Sequence, residues 1–186
     1  MFMRRKPNTV GGGSKTNLNG LRFEGRTDLL DSFKSDKSFQ LIEQKTKGTS
    51  ISSEIFKNKK YIGHYYEKHS FYNQYLEMNG IDWKNLISKK YLPDSVFVNK
   101  INNTVYIIEK KFQEGSGSVD EKLQTCDFKK KIYERLLKTL KVKVEFYYIL
   151  NDWFEKNEYD DVFNYIDSVG CKKFINFIPF TELGIK

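Results

Sequence analysis

The sequence has few of the residues that indicate a secreted, zinc-binding or membrane-spanning protein. Cys126 and Cys171 are its only cysteines, too few for a disulfide framework, so we expect reduced thiols in a cytoplasmic protein. His64 and His69 are its only histidines, and a separation of five residues is not that of a helical zinc pair. No apolar run reaches the length of a membrane span, and we expect no membrane attachment.

Charge of one sign is in excess. The 186 residues include 32 Lys and Arg against 24 Asp and Glu, a formal net charge of +8. Such a field attracts polyanions, of which nucleic acid is the commonest, although a basic surface is often only solvated. The length fits one domain with a moderate core.

The first part of the chain predicts an arm followed by a helix. Residues 1–16 combine basic residues with a glycine run, which predicts a flexible basic arm before a single domain over residues 17–186. Asn17 can cap a helix that runs to about Phe33, with Glu24 on or beside its packed face.

Residues 35–60 are rich in Lys and Ser and predict irregular structure with one short helix. Aromatic residues at helical spacing predict a second helix over residues 63–78, with Asn79-Gly80 as its stop signal. We interpret residues 35–90 as an insertion or as a region that recognises DNA or contacts a partner.

The spacing of hydrophobic residues changes from that of a helix to that of strands after residue 90. Val, Ile, Phe and Tyr recur in two segments that flank Asn102-Asn103, which predicts a hairpin with a tight turn. The later elements alternate between helix and strand, which indicates an α/β domain with a mixed sheet covered by helices on both faces. The predicted elements are strands 95–99 and 104–112, a helix from a Ser118-x-x-Glu121 capping box to residue 140, strand 144–150, helix 159–169 and strand 173–180.

The hairpin gathers charged residues on one face. If Asn102 and Asn103 form a two-residue loop, Asp94 lies opposite Lys111, and Glu109 shares the face of Lys111 because side chains alternate along a strand. Two carboxylates and an ammonium then converge. A slip of one residue would turn these side chains to the other face.

This trio suits phosphodiester hydrolysis. Asp94 and Glu109 supply the carboxylate oxygens that Mg²⁺ prefers, and the ion lowers the pKa of an attacking water. Lys111 could orient or deprotonate that water or stabilise developing charge. The plain alternative is an Asp that caps a turn and a polar strand edge. However, a buried strand that runs into charges favours pairing or metal binding.

At this point the sequence resembles the PD-(D/E)XK nuclease superfamily, in Pro93-Asp94 followed by a strand, a turn and Glu109-Lys110-Lys111. The resemblance implies a restriction-endonuclease-like core and Mg²⁺-dependent cleavage of DNA. It also implies a further acidic residue upstream. Glu24 takes that role because Gly20 to Glu24 is similar to the Gly-x-x-Phe-Glu pattern of some restriction endonucleases, and Glu67 is the competing candidate.

The segment from Gln113 to Thr125 is similar to the one that follows the catalytic strand in type II restriction endonucleases. It joins a Gly/Ser loop to a helix N-terminus, where backbone N–H groups can hold a phosphate, although a well-capped helix explains it equally. The expected DNA contacts are Ser118, Lys122, Gln124 and Lys129.

By its size and motif order the chain resembles the small cleavage subunit of a heterodimeric type IIS restriction endonuclease. That resemblance implies double-stranded DNA as substrate and a larger protein subunit that recognises the target. The alternatives are a homodimeric restriction endonuclease, a junction-resolving nuclease, and a catalytically inactive DNA-binding or scaffold protein of the same fold.

Overall fold

A mixed sheet of seven strands forms the centre of the computed structural model, which describes residues 12–45, 50–115 and 119–186. The strands follow one another across the sheet in chain order. Pairing is antiparallel from β1 to β5 and parallel from β5 to β7. The strands are β1 (Phe39–Lys45), β2 (Ile51–Lys57), β3 (Lys60–Glu67), β4 (Ser95–Asn99), β5 (Thr104–Lys111), β6 (Lys143–Leu150) and β7 (Lys172–Ile175).

Helices cover both faces of this sheet, as the sequence predicted. The α-helices are α1 (Gly12–Arg26), α2 (Leu29–Ser35), α3 (Val119–Leu123), α4 (Cys126–Leu137) and α5 (Asp160–Ser168). A π-helical segment over Phe71–Leu76 follows β3. Helices α3 and α4 connect the parallel strands β5 and β6, and α5 connects β6 to β7. None of the helices in the described ranges is long and apolar enough to cross a membrane.

Alternation along β5 divides the core in two. Val105 and Ile107 pack with α4 on one face, whereas Tyr106 and Ile108 pack with α1 and α2 on the other. Because the alternation continues to the strand end, Glu109 and Lys111 lie on the α4 face and Lys110 lies on the α1 face.

The N-terminal prediction was partly wrong. Residues 1–11 lie outside the described residues, but residues 12–16 begin α1 instead of extending the predicted flexible arm. Glycine costs less at a helix start because the first N–H groups have no partner within the helix. The predicted helix from Asn17 to Phe33 is broken after Arg26. Asp28 interrupts it, since its side chain accepts a hydrogen bond from the Leu30 N–H at 2.8 Å and caps α2.

The prediction of irregular structure over residues 35–60 was wrong, because β1 and β2 lie there. Asn58 and Lys59 both have positive φ, at 49° and 65°, and form the tight turn that joins β2 to β3. The helix predicted from residue 63 was wrong up to Glu67, which is the last residue of β3. The predicted stop is confirmed by Gly80, at φ 67°.

The hairpin is confirmed, but its register differs from the prediction. Asn99 pairs with Thr104, so four residues form the turn. The Asn99 side chain accepts a hydrogen bond from the Ile101 N–H at 2.7 Å and stabilises this wider turn. Continuing the register places Asp94 opposite Glu109 rather than Lys111. The face is unchanged, since the opposite residue moves by two positions and the side-chain period is two.

The elements after β5 agree with the prediction in type and order, and two of them differ clearly in extent. The long helix predicted up to residue 140 is interrupted at residues 124–125, between α3 and α4, and ends as a 3₁₀ helix over Lys138–Leu140. Strand β7 is shorter than predicted, because Asn176 follows it at φ 63° and residues Phe180–Leu183 form another 3₁₀ helix.

Candidate active site

Strand β5 ends in charged side chains on the α4 face of the sheet. Glu109 is only 4% exposed, and its Oε2 accepts a hydrogen bond from the Lys111 Nζ at 2.8 Å. The Lys111 ammonium also donates to the backbone oxygen of Lys110 at 3.0 Å. A carboxylate this buried is stable as an ion only when it is paired, and Lys111 supplies the pairing.

Lys129 brings a second ammonium to the same oxygen. It lies in the first turns of α4, and its Nζ is 2.9 Å from Glu109 Oε2. Two ammonium groups that share one oxygen lie within about 6 Å of each other and repel by on the order of 3 kcal/mol at an effective dielectric constant of 20. Burial alone would raise the pKa of Glu109, but the charges of Lys111 and Lys129 prevail and hold it below its usual value.

Asp94 lies beside this pair, immediately before β4. Its Oδ2 accepts a hydrogen bond from the Lys110 backbone N–H at 2.8 Å, which fixes the carboxylate against the end of β5. Burial lowers the pKa of Lys111, but Glu109, Asp94 and Glu24 outweigh this effect and raise it overall. Lys111 is therefore an ammonium at neutral pH.

Glu24 and Glu67, the two candidates for the further acidic residue of the site, lie in different places. The negative charge of Glu24, near the end of α1, acts on Lys111 and helps to raise its pKa. Glu67 ends β3, where its Oε2 accepts a hydrogen bond from the Ile51 N–H at 3.3 Å. Of the two acids, Glu24 is thus the one whose charge contributes to the electrostatics of the Lys111 ammonium.

A buried network behind the site was not predicted. The Lys110 Nζ donates to the Glu24 backbone oxygen at 2.9 Å and to Asp28 Oδ2 at 2.7 Å. Asp28 also accepts a hydrogen bond from the Tyr65 hydroxyl at 3.2 Å, and Tyr65 in turn contacts the Ser95 Oγ at 3.1 Å. The network ties α1 and α2 to the strand ends that carry Asp94 and Glu109. In the sequence only the capping position of Asp28 gives a local signal.

The predicted DNA contacts are dispersed. Ser118 lies outside the described residues, whereas Lys122 and Gln124 are exposed on and just after α3. Lys129 is instead drawn into the carboxylate cluster, with its side chain 23% exposed. Its neighbours on α4 are engaged elsewhere, since Lys130 donates to the Gly170 backbone oxygen and Lys131 pairs with Asp127.

The donor set fits a hard divalent cation. Glu109 Oε2 and the Lys110 backbone oxygen both contact the Lys111 ammonium, so oxygen acceptors already converge on a positive charge, and Asp94 adds another carboxylate. Within residues 12–45, 50–115 and 119–186, no three His, Cys, Asp or Glu residues cluster closely enough to hold a metal. Two carboxylates are enough for an ion such as Mg²⁺, which keeps waters and takes its other ligands from phosphate.

Taken together, a mixed sheet between helices and two acids beside a lysine at the end of a hairpin define a nuclease-like α/β domain. The family model described as PD-(D/E)XK nuclease superfamily domain matches residues 35–137, and the chain belongs to this superfamily. The match includes Asp94, Glu109 and Lys111, while Glu24 precedes it. No curated protein and no solved structure gives a significant match.

Proposed function

We propose that the protein is a Mg²⁺-dependent endonuclease that hydrolyses phosphodiester bonds of double-stranded DNA in a restriction system. The observation that carries the proposal is the convergence of Asp94, Glu109 and Lys111 at the end of β5. Membership of a nuclease superfamily and the net charge of +8 support DNA as the substrate.

In this proposal each side chain has a distinct task. Asp94 and Glu109 would hold Mg²⁺, which supplies charge neutralisation and a water of lowered pKa when it is bound. Lys111 would donate hydrogen bonds that orient the water or stabilise charge on the phosphate, or it would deprotonate the water. Glu24 adds negative charge on the α1 side.

DNA would lie along the surface next to this site. Lys122 and Gln124 are exposed at the end of α3, and with Ser118 and Lys129 they are the proposed contacts to the DNA backbone. Such contacts position the duplex without selecting its sequence. We therefore propose that a larger partner subunit supplies target recognition, and that this chain cuts one strand.

Three alternative functions predict different experimental results. A homodimeric restriction endonuclease would recognise its target without another subunit, and a junction-resolving nuclease would prefer four-way junctions to linear duplex. A catalytically inactive DNA-binding or scaffold protein would bind duplex without cutting it. The ion pair of Glu109 with Lys111, with the charge of Asp94 also acting on that lysine, favours a catalytic role over the scaffold.

The test is metal-dependent nicking of supercoiled plasmid, with Mg²⁺, with Ca²⁺ and without divalent ions. We expect open-circular product only with Mg²⁺ for the wild type and none for Glu109→Ala. Glu145→Ala is the matched control, because Glu145 pairs with Lys143 at the start of β6, far from the site. Equal product from wild type and Glu109→Ala would remove the proposed role of Glu109. Plasmid binding without nicking under every condition would support the scaffold.

A further inference from the structure

We propose that Lys129 is a substrate-binding residue: it binds a non-bridging oxygen of the DNA phosphate at the point of cleavage, and Glu109 holds it until a divalent ion takes its place. This inference rests on the proposed endonuclease function and goes beyond it. It turns Lys129 from a general backbone contact into a group whose availability depends on the metal.

The partners of the two ammonium groups carry the inference. Lys111 has the Lys110 backbone oxygen as well as Glu109, and the charges of Asp94 and Glu24 act on it too. The Lys129 ammonium has, in the part of the chain that the structure describes, Glu109 Oε2 as its only partner. Lys129 therefore has fewer interactions that fix its ammonium than Lys111 has.

Position gives Lys129 access to both the site and the solvent. Its side chain is 23% exposed, whereas that of Glu109 is 5% exposed, so the ammonium lies at the outer side of the pair. It projects from the first turns of a twelve-residue helix, where the helix dipole also favours an anion. A phosphate that approaches the carboxylates from solvent could therefore reach Lys129.

Charge balance explains the exchange. One carboxylate cannot hold two ammonium groups and a divalent cation, because like charges at this separation repel strongly. A divalent ion at Glu109 and Asp94 would therefore release Lys129, and the phosphate that arrives with the ion carries the negative charge that Lys129 then lacks. No covalent bond forms or breaks in this step.

The competing explanation is that Lys129 only neutralises a buried acid. Removal of its charge should tighten Ca²⁺ binding in either case, because an ammonium beside Glu109 repels the ion. The two explanations differ for DNA. If Lys129 binds the phosphate once the ion has displaced it, Lys129→Gln weakens duplex binding in Ca²⁺. If it only neutralises Glu109, Lys129→Gln leaves duplex binding in Ca²⁺ unchanged or strengthens it.

The experiment measures Ca²⁺ affinity by calorimetry, and the affinity for a labelled duplex of about 30 base pairs at several KCl concentrations with and without Ca²⁺. For Lys129→Gln we expect tighter Ca²⁺ binding, about three- to tenfold weaker duplex binding in Ca²⁺, and a salt slope smaller by about 1. Without Ca²⁺ the variant should match the wild type. Lys129→Arg should retain the wild-type slope.

Lys143→Gln is the matched control, since it breaks a Lys–Glu pair at the opposite end of the β5 and β6 strands. It should leave all of these values unchanged. If Lys129→Gln does not fold, Glu109→Gln provides a second test. This variant removes the partner of Lys129 and leaves its ammonium free to bind phosphate. Its affinity for the duplex should therefore be higher than that of the wild type without Ca²⁺, and should no longer depend on Ca²⁺.

An unchanged salt slope in Ca²⁺, or an equal loss of slope with and without Ca²⁺, would overturn the proposal. A loss of duplex affinity in Glu109→Gln would do the same. These binding measurements do not need cleavage, so a wild type that binds but does not cut would contradict the endonuclease function and leave the role of Lys129 to be decided separately.

Discussion

At the scale of single residues, several lysine ammonium groups at the end of β5 share a small number of oxygen acceptors. Glu109 Oε2 accepts from both Lys111 and Lys129, while the Lys110 side chain turns to the other face and bonds Asp28. Three lysines thus surround one strand end and have three different environments. Substitutions of them should have effects of different kinds.

Lys111→Gln should impair chemistry more than binding. Its ammonium pairs with Glu109 and is also acted on by the charge of Asp94, and the loss of one donor aimed at developing charge costs on the order of 100-fold in rate. Single-turnover nicking in Mg²⁺ and duplex affinity in Ca²⁺ would separate the two effects. A rate within threefold of the wild type would contradict the role of Lys111.

Lys110→Met should impair stability. It would leave Asp28 without its buried partner, and removal of one member of such a pair costs about 3 kcal/mol. The double variant Lys110→Met/Asp28→Asn should recover much of this loss, since Asn can still cap α2. Urea unfolding measures both. A double variant less stable than Lys110→Met would show that the ion pair is not the cause.

At the scale of elements, β3 and β4 approach each other closely at Gly63. A Cβ atom there would lie 2.2 Å from the Val98 backbone oxygen and 3.0 Å from the Phe97 ring. Gly63→Ala should therefore lower the free energy of unfolding by about 3 kcal/mol, because backbone and ring must both shift.

The matched control is Gly25→Ala in α1, where an added Cβ meets nothing within 4 Å. There alanine should stabilise the protein by roughly 0.5 kcal/mol through its better helix propensity. Thermal or urea unfolding of the two variants provides the comparison. Similar effects at both glycines would show that contact with β4 does not limit position 63.

Strands β4, β5 and β6 could be predicted because each is rich in Val, Ile, Phe and Tyr and largely buried. Strands β1 and β2 could not, since polar residues interrupt both and their partners lie on neighbouring strands. Pairing across β2 and β3 stabilises these segments, and such pairing is a tertiary property with a weak local signal.

The same distinction applies to the site. Asp94, Glu109 and Lys111 share a face through local hairpin pairing, and the prediction of a common face held even though the register was two residues off. The contacts of Lys129 with Glu109 and of Lys110 with Asp28 join residues that are 20 and 82 positions apart. No spacing rule connects such residues, because the packing of whole helices decides their contacts.

At the scale of the whole molecule, His64 links stability to pH. Burial, assisted by Lys100, lowers its pKa from 6.5 to about 4. The unfolded chain binds the proton near pH 6.5 and the folded protein only near pH 4, so stability falls as the pH drops through this interval. After allowance for partial exposure, the loss is about 1 to 2 kcal/mol.

The measurement is urea unfolding at pH 7, 5.5 and 4.5. His64→Phe keeps a ring against Tyr66 and should reduce the loss of stability over this range. His69→Gln, at an exposed position, is the control and should behave as the wild type. An identical pH profile for wild type and His64→Phe would assign the acid sensitivity to other groups.

The order of the sheet has a consequence for biosynthesis. From β2 onward, every strand pairs with the one translated just before it, so the sheet can extend in a single direction as the ribosome delivers the chain. The hairpin that unites Asp94 with Glu109 is complete before α4 emerges. In a nascent chain, Asp94 and Glu109 would therefore be in place for a time before Lys129 of α4 pairs with Glu109.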